Sequence, residues 1–209
     1  MTRLVLVHGA ATTGRVWHDL LPHLPPMEVL CPDRPCSGDL DTELAALTKL
    51  CADSVVVGVS GGATLGLALA SRGVPMRAAV LHEPAAGSLA PGLLAHAAEG
   101  LRTGGVPGFG RALYGPSWTP ECAPADPDAV RRDFAMFSAF EPAPIDDAPV
   151  LLTVGEHSPP ARQHSVRALN EFLGCPSVVV PGGHHAVHLD TPAAFAKIIR
   201  SILPFQDSA

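Results

Sequence analysis

An α/β fold, with a mostly parallel central sheet flanked by helices, is predicted by three observations. Short apolar runs such as Val55-Val56-Val57 carry no polar alternation, as expected of parallel strands covered on both faces. These runs alternate along the chain with stretches whose apolar residues recur at helical spacing. The 209 residues are 47% hydrophobic and only 16% charged, which excludes a disordered chain and suffices for one domain with a real core.

Taken in order, Arg3 to Val7 reads as a buried strand ending at His8-Gly9, and Val16, Trp17, Leu20, Leu21 and Leu24 then follow at helical spacing. Val29-Leu30-Cys31 is a second short strand, stopped by Pro32. Leu40, Leu44, Leu47 and Leu50 mark a helix face, with Asp39 or Asp41 available to cap its first turn. Ser54 to Gly58 is the most strand-like run in the chain. A helix of small residues follows from Gly61 to Ser71, ended by Gly73, and its Gly and Ala content lets it sit close against a sheet. Ala78 to Leu81 is the next strand, closing at His82-Glu83-Pro84.

From Ala85 the character changes. Gly and Pro recur and six aromatic residues collect, so residues 85–147 are expected to form a partly helical cap inserted into a core made of 1–84 and 148–209. Val150 to Val154 resumes the strand pattern. Ser158 before Pro159 reads as a helix N-cap with proline at the first helical position, and that helix ends near Gly174. Ser177 to Val180 is a last strand. Thr191-Pro192 again reads as a cap and first position, opening a helix with Phe195, Ile198, Ile199 and Ile202 on one face. The excess of 20 glycines and 22 prolines is thus explained in part: Gly9, Gly58, Gly61 and Gly62 sit at tight turns, Pro159 and Pro192 open helices, and much of the remainder falls in the insert.

Several function classes are disfavoured at once. A formal charge of −6 without a basic cluster argues against nucleic acid, whose binding relies on Lys and Arg at phosphates. No apolar stretch approaches the roughly 20 residues that a membrane span needs. The first strand-like run is too short for a signal sequence, and five cysteines without a C-x-x-C pair fit a reducing compartment, so a cytoplasmic location is expected. Nothing in the pattern specifies an oligomeric state.

The strongest chemical signal is Gly58-Val59-Ser60-Gly61-Gly62, a G-x-S-x-G placed where a buried strand meets a helix. A serine on so tight a turn has a strained backbone and an exposed hydroxyl, and the helix behind it offers free N–H groups to developing negative charge. Serine needs a base. Of ten histidines, His184, His185 and His188 follow the last strand, where the sheet edge would bring them towards Ser60; His23, His96 and His164 read as surface residues. No H-E-x-x-H supports a metal site, and neither metal nor cofactor is expected. His8-Gly9-Ala10, just after the first strand, can aim the Ala10 N–H at the same point as the N–H of Gly61.

These features, in this order, resemble the α/β-hydrolase fold family, and the resemblance spans nearly the whole chain. It includes the His8-Gly9 loop with Trp17 downstream, Pro32-Asp33-Arg34-Pro35 after the second strand, the nucleophile elbow at Ser60, and His185-Ala186-Val187-His188-Leu189-Asp190-Thr191-Pro192 near the end. The match implies His185 as the catalytic histidine in preference to His184, with His188 structural. The acid departs from the pattern: where most members carry aspartate, this chain reads Gly155-Glu156-His157-Ser158, with serine at the expected position. Two carboxylates remain as replacements, Glu83 at the end of the strand after the nucleophile helix, which is preferred, and Glu156 two residues before the vacant position. The resemblance implies a serine hydrolase acting on a small carboxylic ester, with Ser60, His185 and Glu83 as the triad, Ala10 and Gly61 as the oxyanion hole, and the insert as a lid over an apolar pocket. The alternatives are a binding or receptor protein on the same fold, motivated by the missing aspartate, and a lyase or cofactor-free oxygenase.

Overall fold

Six strands, all parallel, frame the computed structural model, which describes residues 2–146 and 149–203. They are β1 (Leu4–Val7), β2 (Val29–Leu30), β3 (Val55–Val59), β4 (Ala78–His82), β5 (Val150–Gly155) and β6 (Ser177–Val180). Their spatial order is β2-β1-β3-β4-β5-β6. The helices are α1 (Leu40–Cys51), α2 (Gly61–Ser71), α3 (Ala95–Tyr114), α4 (Pro127–Ser138), α5 (Pro160–Leu173), the single turn α6 (Val187–Asp190) and α7 (Pro192–Ile202).

Period-two geometry explains the unbroken apolar strands. Val5 and Val7 face one layer with Leu44 of α1, Leu65 and Leu69 of α2 and Leu169 of α5, while Leu4 and Leu6 face the other with Trp17 and with Phe195 and Ile199 of α7. Phe195 is fully buried, and its truncation to alanine would cost about 3–5 kcal/mol. Asp39 caps α1, its side chain accepting from the Thr42 N–H at 2.8 Å, and Gly174 ends α5 in the left-handed conformation at φ 69°. Helix α2 approaches the sheet so closely that a Cβ added at Gly62 would lie 1.9 Å from the Val7 carbonyl oxygen.

Between β4 and β5 the chain runs through α3, which kinks at Gly105, and then α4, joined by short 3₁₀ turns. The insert boundary expected at 147 and 148 lies outside the described residues, as do 204–209. The helix expected from Val16 to Leu24 does not form. Two 3₁₀ turns, Gly14–Trp17 and Leu21–His23, replace it, because Pro22, Pro25 and Pro26 remove the amide donors a continuous helix would need. Apolar spacing there reflects burial of Val16, Trp17 and Leu20 rather than helical geometry. No helix among the described residues is long and apolar enough to cross a membrane.

Candidate active site

Strand register gathers the chemistry at one edge of the sheet. Val7 pairs with Gly58, Val59 with His82, and His82 with Thr153, so the residues that leave β1, β3, β4 and β5 emerge together. Ser60 follows β3 at φ 57°, ψ −121°, a left-handed conformation rare outside glycine, and its hydroxyl stands at the N-terminus of α2. A Cβ added at Gly61 would come within 3.2 Å of the Ala10 nitrogen and 2.4 Å of the Phe137 ring. Gly61 and Ala10 are therefore close neighbours beneath Phe137, and the first N–H groups of α2 have no partner within the helix.

Glu83 leaves β4 with a second positive φ, 47°, while its own N–H still donates to the Thr153 carbonyl at 3.0 Å. That turn swings a fully buried carboxylate across the ends of β4 and β5. Glu83 Oε2 lies 2.7 Å from His185 Nδ1; an ionised carboxylate only accepts, so Nδ1 carries the proton. His185 Nε2 is buried and unpartnered among the described residues, the state of a ring nitrogen free to accept. Glu156, the other candidate acid, is exposed, and its Oε2 accepts from the Gly182 N–H at 2.7 Å, which ties down the loop before His185. His184 is exposed, 3.9 Å from Asp190, and is not brought to Glu83. His188 is buried against Trp17, with ring centroids 4.9 Å apart. His23, His96 and His164 are exposed, as expected.

Two expectations need correction. Ser158 does not cap the next helix: the cap position belongs to Pro159, and the Ser158 hydroxyl donates instead to Glu83 Oε1, which also accepts the Gly155 N–H at 3.0 Å. A buried carboxylate is a stronger acceptor for that hydroxyl than a helix end whose neighbouring residues are two prolines. Ser60 is also not exposed. Its accessibility is only 8%, because Phe137 of α4 and Tyr114 of α3 close over the turn. The Thr191 cap likewise lacks its side-chain bond, although α7 begins at Pro192 as expected.

Tyr114 was not singled out by the sequence. It stacks on His185 with centroids 5.5 Å apart, and its hydroxyl donates to the Ala10 carbonyl at 3.0 Å; Trp118 Nε1 donates to the Ala11 carbonyl at 2.8 Å. The loop after β1 is held from the other side by the buried Arg34, which bonds the carbonyls of His8 (3.0 Å) and Gly9 (3.1 Å) and pairs with Glu43 and Asp133. Tyr114 is the only tyrosine in the chain, and that uniqueness was the available signal.

Burial is the largest influence on the ionisation of His185, Glu83 and Tyr114. It lowers the His185 imidazole to about 3, with the Arg162 charge adding to it and Glu83 opposing. Burial would raise Glu83, but the charges and hydrogen bonds of His82, His185 and Arg162 hold its carboxyl well below the usual carboxylate range. Burial pushes the Tyr114 hydroxyl up to about 12, against hydrogen bonding from Ser60 and Thr12. His82, Glu83 and His185 bring potential metal-ligand atoms within 4.8 Å of one another. That set fits a cation poorly: His82 already bonds Thr153 Oγ1 and the His184 carbonyl, both Glu83 oxygens are taken, and the Arg162 guanidinium lies 3.7 Å from Glu83 Oε2.

Three spaces adjoin these residues. A cavity of about 20 Å³ is bounded by Ala10, Ser60, Gly61, Phe134, Phe137 and Arg162. It shares Ala85, Leu94, Phe134 and Phe137 with a groove of about 410 Å³ between α3, α4 and the turn after β4. A further groove, of about 500 Å³, is lined by Tyr114, His185 and Ala186.

Solved structures share this architecture. A lipase-esterase related protein from Clostridium acetobutylicum superposes with a TM-score of 0.75 at 14% identity, over 97% of this chain and 94% of its own. Naproxen esterase (carboxylesterase NP) from Bacillus subtilis gives 0.61 at 16%, over 96% and 82%. An alpha/beta hydrolase from Sphaerobacter thermophilus gives 0.67 at 23%, over 96% and 92%. No curated protein matches the chain in sequence. The sequence pattern of the alpha/beta hydrolase family matches residues 4–198, nearly the whole chain from β1 into α7, and with the parallel sheet and the serine turn after β3 this makes the protein a member of that family.

Proposed function

We propose that the protein is a serine hydrolase that cleaves small carboxylic esters through Ser60, His185 and Glu83. The observation that carries the reading is the 2.7 Å contact between His185 Nδ1 and a fully buried Glu83, with Nε2 left unpartnered at the edge where Ser60 is strained into the open end of α2. Ser60 Oγ attacks the ester carbonyl while His185 Nε2 takes its proton, and the Ala10 and Gly61 N–H groups receive the charge on the carbonyl oxygen. Collapse of that adduct expels the alcohol, which takes the proton from His185; water then repeats the sequence on the acyl-enzyme and releases the acid. Glu83 keeps the proton on Nδ1 and stabilises the imidazolium as it forms. Residues 85–147 act as the lid, with Phe134 and Phe137 between the outer groove and the nucleophile.

A fluorophosphonate probe should label the wild type at Ser60 and leave Ser60→Ala unlabelled, and p-nitrophenyl butyrate should be hydrolysed only by the former. A folded wild type that neither labels nor turns over would leave a binding protein on a hydrolase fold.

A further inference from the structure

The chain buries two arginines, and they are treated very differently. Arg34 donates to the His8 and Gly9 carbonyls and to the carboxylates of Glu43 and Asp133, so each of its three guanidinium nitrogens is bonded. Arg162, on the first turn of α5 and only 4% exposed, has one hydrogen bond, a long one of 3.4 Å from Nη1 to the Glu83 carbonyl. Its Nη2 is buried without any partner among the described residues. The nearby Glu83 carboxylate attracts the guanidinium by charge but accepts no hydrogen bond from it. That carboxylate already accepts from Gly155, Ser158 and His185, and Arg162 Nε stands off at 3.7 Å. A buried guanidinium nitrogen left without an acceptor, as Nη2 is, is costly unless something supplies one. The side chain lines the small cavity bounded by Ser60, Gly61 and Ala10, and this cavity shares Phe134 and Phe137 as walls with the 410 Å³ groove. His185 does not line the cavity; it lines the separate 500 Å³ groove, where a leaving alcohol would collect its proton.

We propose that Arg162 is the specificity-determining residue of the acyl pocket and that the preferred substrates are half-esters of dicarboxylic acids, the free carboxylate of the acyl fragment pairing with Nη2. The inference rests on the hydrolase reading above. The reaction adds water across the ester bond and yields a dicarboxylate and an alcohol. The carboxylate is the acceptor that Nη2 lacks, in planar geometry that suits a guanidinium. Phe134 and Phe137 must turn to admit it, since a 20 Å³ space holds little more than one water.

The test compares mono-p-nitrophenyl glutarate with p-nitrophenyl valerate, a neutral ester of equal chain length, after correction for spontaneous hydrolysis. The wild type should favour the glutarate in kcat/KM by on the order of tenfold or more, the discrimination expected of one charge-assisted hydrogen bond. Arg162→Met should abolish that preference and Arg162→Lys should restore part of it, whatever either does to the shared rate through Glu83. Free glutarate should also inhibit valerate hydrolysis competitively in the wild type, a measurement that needs no variant to fold. Equal rates on both esters with no inhibition would overturn the assignment and leave a buried water as the partner of Nη2. A preference that survives Arg162→Met, or a loss equal for both esters, would overturn it as well, the latter making Arg162 a positioning residue for Glu83. Failure of both esters together with an unlabelled Ser60 would instead bring down the hydrolase reading itself.

Discussion

Acid should destabilise this protein through histidines that it buries uncharged, and His188 gives the cleanest measurement. Burial, with lesser contributions from the charges of His82 and His185, lowers the His188 imidazole to about 3, and its Nδ1 has no partner among the described residues. In the unfolded chain the same group titrates near 6.5. A depressed folded value means that its contribution is fully present above pH 6.5 and is lost as pH falls towards 3, because only the unfolded chain takes up the proton. Between pH 7 and pH 5 this amounts to about 2 kcal/mol, from about 1.4 kcal/mol for each pH unit below 6.5. The figure requires only that the folded value lie below 5. His185, lowered to about 3 for the same first cause, doubles it to about 4 kcal/mol, a large part of a typical domain's 5–15 kcal/mol. Urea unfolding of the wild type and of His188→Leu, each at pH 7 and pH 5, isolates one histidine, since leucine matches its volume between Trp17 and Tyr114. The variant should lose about 2 kcal/mol less than the wild type on acidification. Equal losses in the two proteins would refute the reasoning.

Two further outcomes follow from the geometry around Glu83. Glu83→Gln should slow acylation by roughly three to four orders of magnitude by disfavouring the Nδ1–H tautomer, whereas Glu156→Gln should change it little; single-turnover kinetics with a p-nitrophenyl ester separates them. Ser158→Ala removes one of the donors to Glu83 Oε1 and should lower stability by about 1–3 kcal/mol, read by chemical denaturation, with a smaller loss of activity than Glu83→Gln.

What could be read from the sequence was whatever depends on neighbours along the chain. Unbroken runs at Leu4–Val7 and Val55–Val59 announced strands covered on both faces, and the glycines around Ser60 announced the turn. The pairing of Glu83 with His185 was legible because Glu83 ends a strand next to the one that carries Ser60. What escaped was set by partners far away. Ser158 looked like a cap until a carboxylate 75 residues earlier claimed its hydroxyl, and Tyr114 looked like one more lid aromatic until it reached an Ala10 carbonyl 104 residues distant. Arg162 carries no local signal at all, because an arginine on the first turn of an amphipathic helix reads as a surface residue. The segment from Gly14 to His23 misled for the opposite reason: its apolar spacing was local and real, but prolines denied it a helix.

The location of Glu83, the acid of the proposed triad, bears on how the site assembles during folding. Ser60 and Glu83 follow the ends of the two strands of a single strand-helix-strand unit, β3, α2 and β4, whose pieces are contiguous in the chain and whose strands are adjacent in the sheet. Their separation is therefore fixed as soon as that unit closes, by contacts of low sequence distance that form early and cheaply. An acid placed after β5 would have had to wait for the whole insert to be threaded. Of the three groups in the proposed triad only the imidazole arrives from afar, across the 102 residues that separate His185 from Glu83. The connection between β4 and β5 can then lengthen or shorten without altering the stretch of chain that links Ser60 to Glu83.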